Sequence, residues 1–75
     1  MIRDRKANTY IGDPFASVND DTARRTFTSI CNHPQNTWLA PDYELFCVGS
    51  LSCESGEISP CHEYITAGCE VLKNE

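Results

Sequence analysis

The sequence predicts an α+β domain: a small antiparallel sheet of three to four strands with one main helix packed on one face. Three observations lead there. Residues 43 to 51, YELFCVGSL, hold the aromatic Tyr43 and Phe46 and the β-branched Val48, and strand alternation would put Tyr43, Leu45 and Cys47 on one face. A turn, CESGE, follows at once, which makes a hairpin the natural continuation. Earlier, Ala23, Phe27, Ile30 and Cys31 recur at helical spacing and form one apolar stripe. The 75 residues make a single domain, 1–75. A chain this short buries only about 60% of the surface it exposes when unfolded, so the core is small.

The elements follow in order. IRDR near the start reads as a short edge strand with Ile2 inward. TYIGDPFAS offers apolar Tyr10, Ile11 and Phe15 around a Gly-Asp-Pro turn. Pro14 lacks an N–H, so any strand there is an edge or a broken one. The helix spans residues 20 to 32. Asn19 or Ser17 caps it, and Asp20 and Asp21 place negative charge where the helix dipole favours it. Pro34 stops it, because the residue before a proline is pushed out of the helical region. Arg24, Arg25 and Thr28 then fall on the wet face.

Residues 32 to 42 form a polar loop from which Trp38 and Leu39 are expected to tuck inward. In the strand, Tyr43, Leu45, Cys47, Gly49 and Leu51 share the core face. Phe46 and Val48 suggest that the opposite face is partly covered too. Gly56 supplies the left-handed conformation that a bulged hairpin turn needs. The return strand begins at EIS, with Pro60 limiting its pairing. CHEYITAGCEVL is a short helix or a final strand, broken at Gly68.

Cysteine usage bears on the class of function. Cys31, Cys47, Cys53, Cys61 and Cys69 are five, and an odd number cannot pair completely within one chain. MIRDRKANTY has no apolar core of a secretory signal, and no run approaches the roughly 18 apolar residues of a membrane span. The expectation is a reducing cytosol with free thiols and no membrane association. A secreted cysteine-rich binding module is the alternative. Zinc sites pair their ligands at short spacings, and neither the cysteine intervals nor the adjacent Cys61–His62 fits, so no metal is expected. His33 and His62 have no orienting carboxylate fixed in sequence, and no glycine-rich phosphate loop is present. The expectation is a non-enzyme without cofactors.

Charge is polarised. The net charge is −5. Residues 1 to 25 carry Arg3, Arg5, Lys6, Arg24 and Arg25 against Asp4, Asp13, Asp20 and Asp21, a balance of +1. The remainder carries Lys73 against seven acids, a balance of −6. An acidic chain is not a strong general nucleic-acid binder. The basic end, with Tyr10 and Phe15 to stack bases, is the candidate contact for nucleic acid or a partner: Arg3, Arg5, Lys6, Tyr10, Arg24 and Arg25. Solvated surface arginines are the plainer reading of the same residues.

Taken together, IRDR, DPFAS, ND, the helical Arg24-x-x-Phe27, DYELFCVGSL, the acidic glycine turn and CHEYITAGCEVL resemble the small nonstructural protein of gokushoviruses, single-stranded DNA phages of the microvirus group. The resemblance covers nearly the whole chain. Relatives carry a few more residues before the RD segment, so the expectation is either a short first strand or a misassigned start codon. That family is likened to the microvirus packaging factor, protein C. The resemblance implies an accessory of viral single-stranded DNA synthesis and genome packaging in the host bacterial cytoplasm. Its implied partners are the phage replication initiation protein, the procapsid or single-stranded DNA, with a homo-oligomer as an option. A protein that coats progeny single strands is the rival within the same setting. The resemblance brings no catalytic residues with it.

Overall fold

The computed structural model describes residues 1–72; Lys73 lies outside them. The expected α+β architecture is present. Strands β1 (Ile2–Asp4) and β2 (Thr9–Ile11) precede helix α1 (Asp20–Cys31). A 3-10 turn at Ala40–Asp42 leads into β3 (Tyr43–Leu51), then β4 (Ile58–Ala67) and a one-turn helix α2 (Gly68–Val71). The sheet is antiparallel in the order β2-β1-β3-β4.

The first strand is therefore interior, not the expected edge. Two local features fold β2 back onto it. The Asp4 carboxylate accepts hydrogen bonds from the N–H groups of Lys6 and Ala7, at 3.0 and 3.1 Å, the side-chain turn that aspartate favours. Asn8 then takes a left-handed conformation, φ 57°, which asparagine tolerates. β2 becomes the edge and frees the other side of β1 to pair with β3. Ile2 is buried as expected and faces Leu45 and Ile11 in register.

Helix α1 begins at Asn19, whose side chain accepts from the Thr22 N–H at 2.8 Å. Of the two expected caps, Asn19 fills the role, and Asp20 and Asp21 occupy the first turn. Ala23, Phe27 and Cys31 are buried against Ile2, Tyr43, Leu45 and Ala40. Ile30, Ile11, Phe15, Leu39 and Ile65 close the margins of that core. Full burial of a side chain such as Phe27 is worth about 1.5–3 kcal/mol in transfer terms. At the helix end, the Asn32 amide donates to the carbonyls of Thr28 and Val71, which ties α2 to α1.

β3 has the predicted bounds, and Tyr43 and Leu45 are buried as expected, but its core face ends near Cys47. Leu51 is 59% exposed and its partner Ile58 75%. The reason is length. A 12-residue helix covers about 18 Å, whereas the molecule is 45 Å long. The β3–β4 hairpin overhangs with nothing beneath it, and residues 50 to 60 are all exposed. Its tip closes as read from sequence: Gly56 has φ 76°, and its N–H donates to the Ser52 carbonyl at 2.8 Å.

Pro60 does not limit the pairing; it lies opposite Gly49 within β4. β4 is an edge strand with one neighbour, where a missing N–H is tolerated. Residues 61 to 72 combine both open readings: strand to Ala67, then a helical turn from Gly68. Trp38 does not tuck inward; it is 76% exposed, while Leu39 packs on the core. Backbone bonds from Thr37 to His33 and from Ala40 to Asn36 wind this segment helically, and only Leu39 of the two then faces the core.

Candidate nucleic-acid interface

Strand alternation divides the sheet's side chains between two faces. Ile2, Leu45 and Ile11 face α1. Arg3, Tyr10 and Glu44, which stand opposite one another across β2, β1 and β3, face away from it. Phe46 and Tyr64 continue that face across β3 and β4. It carries no second layer among the described residues. On the second face of β3, expected to be partly covered, Phe46 is half-buried by neighbouring rings of the same face, and the face as a whole stays open.

Those rings form a cluster. Phe46 stacks on His62 with centroids 4.6 Å apart and planes inclined by 12°. Tyr64 meets Phe46 edge-on at 5.9 Å, and Tyr10 meets it from the other side at 6.2 Å. The Tyr10 hydroxyl lies 2.6 Å from His62 Nε2, which joins the edge strand β2 to β4 over the two central strands. Edge-on and offset pairs of this kind add about 0.5–1.5 kcal/mol beyond buried area.

The ladder between β3 and β4 shifts register on each side of this group, between Leu45 and Phe46 and between Cys47 and Gly49. Bulges re-aim side chains, and here they flank the Phe46–Tyr64 pair.

The polar rim is tightly paired. The Arg3 guanidinium bonds Glu44 at 3.3 Å and also the Asn8 side chain. The Tyr64 hydroxyl donates to Glu70 at 2.8 Å, and Thr66 donates to the same carboxylate. The Glu70 hydrogen bond, with some burial, pushes the Tyr64 phenol up to about 12.

The structure does not gather the six candidate residues into one patch. Arg3 and Tyr10 lie on the open face. Arg5 and Lys6 sit in the β1–β2 turn, where Arg5 approaches Asp42 at 3.6 Å. Arg24 and Arg25 are exposed on the outer side of α1, with Thr28, Ser29, Asn32 and His33 around a shallow depression. Arg24 is paired to Asp21 at 3.0 Å. Phe15, expected to stack bases, packs against the core instead.

Sequence reasoning missed Phe46, His62 and Tyr64 as a group. The signal was available only for Phe46, by its alternation with Leu45. The placement of His62 beside it depends on the second register shift. Among the described residues no three His, Cys, Asp or Glu side chains gather to hold a metal ion.

The family model described as Phage ORF5 protein matches residues 1–71. No curated protein and no solved structure matches the chain.

Proposed function

This chain belongs to the Phage ORF5 protein family, and we propose that it is a non-enzymatic accessory of viral single-stranded DNA synthesis and packaging that holds unpaired bases on its open sheet face. The observation that carries this reading is the cluster of Tyr10, Phe46, His62 and Tyr64, spread over a sheet face without a covering layer. Every base has a π-face, so such a surface accepts single strands with little sequence preference. A duplex hides those faces in its stack.

Affinity is modest on this reading. The net charge is −5, and Arg3, Arg5 and Arg24 already have carboxylate partners. A strand-coating protein needs many free cations along its track. The protein therefore works beside a partner, the replication initiation protein or the procapsid, that brings the DNA to it. A gokushovirus-like role, akin to the packaging factor protein C and exercised in the host cytoplasm, fits that mode of action.

Fluorescence anisotropy of a labelled oligothymidylate, against a duplex of equal length, tests the base-stacking claim. Single strands should bind better, and Phe46→Ala should weaken them by about 1–3 kcal/mol, the usual worth of one stacked base. Duplex preference, or an unaffected Phe46→Ala variant, sinks the proposal. Tight cooperative coating at physiological salt would put the strand-coating role in its place. Co-purification from infected cells identifies which partner accompanies the protein.

A further inference from the structure

We infer that Cys47 and Cys61 form a dithiol site that closes to an intramolecular disulfide between β3 and β4 when a low-molecular-weight disulfide, such as oxidised glutathione, oxidises it. The two sulfurs lie 3.1 Å apart on neighbouring strands, in mutual contact and half-buried. The ladder pairs Cys47 with Glu63 and Gly49 with Pro60, so Val48 alone stands opposite both Cys61 and His62. In an unbroken ladder, Cys61 would pair with Gly49 and lie diagonal to Cys47. The bulge turns its sulfur toward Cys47. The other three thiols are placed differently: Cys31 is sealed in the core, Cys53 is exposed in the hairpin loop, and Cys69 is exposed at the start of α2.

The order of attack follows from the surroundings. The contact with Cys47, then partial burial, then the carboxylates of Glu63 and Asp20 push the Cys61 thiol up to about 11. Its S–H also reaches the Cys47 carbonyl at 3.4 Å. The first attack is therefore assigned to Cys47, whose sulfur gives its proton to solvent and attacks one sulfur of the external disulfide. That S–S bond breaks and one glutathione leaves as a thiol after taking up a proton. Cys61 then gives its proton to solvent, its sulfur attacks the Cys47 sulfur, and the second glutathione departs. Two protein thiols have lost two electrons and two protons, and one external disulfide has become two thiols.

The bridge would close the loop from residue 47 to residue 61, which contains the whole overhanging part of the hairpin. That segment has no core to order it, so a covalent staple at its base supplies what packing does not. The inference stands apart from the base-stacking role, since its readouts involve no DNA.

The test uses the full chain carrying Cys53→Ser and Cys69→Ser, which removes the two exposed thiols. After treatment with oxidised glutathione, mass spectrometry should show the loss of two hydrogens, and peptide mapping should link Cys47 to Cys61. The thermal midpoint should rise and return on adding dithiothreitol. Adding Cys61→Ser should leave a glutathione adduct on Cys47 and no midpoint rise. A stable glutathione adduct on the parent, a link to Cys31, or an unchanged midpoint after bridging overturns the inference.

Discussion

Gly68 sits so close to Ala40 that a Cβ placed on it would overlap the Ala40 carbonyl oxygen and lie 2.7 Å from the carbonyl carbon. Both residues are buried. The contact is where the chain leaves β4 and turns back under the 3-10 turn that launches β3. Backbone cannot swing aside as a long side chain can. Gly68→Ala should therefore destabilise the domain by about 1–3 kcal/mol, the usual cost of overpacking. A urea midpoint equal to that of the parent would mean that the two segments are further apart.

Phe27 is fully buried at the junction of α1 with the sheet. Phe27→Ala should cost about 3–5 kcal/mol, because the lost ring leaves a cavity its neighbours only partly fill. Domains this small have little stability in reserve, so the variant should be largely unfolded in buffer at ordinary temperature. Circular dichroism and urea titration check this. An unchanged midpoint would show that the helix presents another face.

Gly56 holds φ 76° at the hairpin tip, and a Cβ there would meet nothing within 4 Å. The cost of a side chain is thus conformational only. Gly56→Val should destabilise by more than about 1 kcal/mol, since the left-handed region crowds the Cβ of an L-residue. Gly56→Asn should recover much of that loss, because asparagine visits this region readily. Equal melting of the glycine and valine proteins would move the turn elsewhere.

Alkaline pH should weaken the fold. Tyr64 in the folded protein titrates near 12, against 10 for a free phenol, because its hydroxyl donates to Glu70. The folded state thus holds this proton more tightly than the unfolded state. Its contribution is fully present below pH 10 and fades as pH rises from 10 to about 12. Cys31, pushed up to about 11 by burial, and Tyr43, also raised by burial, act with the same sign. Tyr64→Phe should flatten the loss of stability over this window, and Glu70→Gln should bring the tyrosinate absorbance change to lower pH. A Tyr64 that ionises near 10 in the folded protein would contradict the Glu70 contact.

Arg24 and Arg25 lie on the helix, across the domain from Phe46 and His62. Arg24→Glu with Arg25→Glu should weaken single-strand binding at low salt through long-range charge, yet leave the Phe46→Ala effect in place. The log–log salt slope of the parent should be no steeper than about −3.5, at roughly −0.7 per phosphate contact for five basic residues. If the double variant abolishes binding while Phe46→Ala does nothing, the helix is the DNA surface.

What the sequence determined is everything that rests on local chemistry. The spacing of Ala23, Phe27 and Cys31 specified the buried face of α1, Asn19 was one of two caps read for its start, and Gly56 marked the hairpin tip. The alternation from Tyr43 set the bounds of β3 and the burial of Leu45. Each is decided within a few residues, by periodicity, capping or a permitted φ. Only tertiary structure decided the rest. β1 became an interior strand because β2 folded back beside it, and Leu51 stayed wet because α1 is too short to reach it. Trp38 faced solvent because a helical winding of its loop gave the core to Leu39. The aromatic face needed Tyr10, Phe46, His62 and Tyr64 brought together over up to 54 positions of chain by strand order and two register shifts. Strand order and bulges arise from long-range pairing, which leaves no periodic trace in sequence, so the same residues read singly gave only scattered rings and a basic patch that the fold does not assemble.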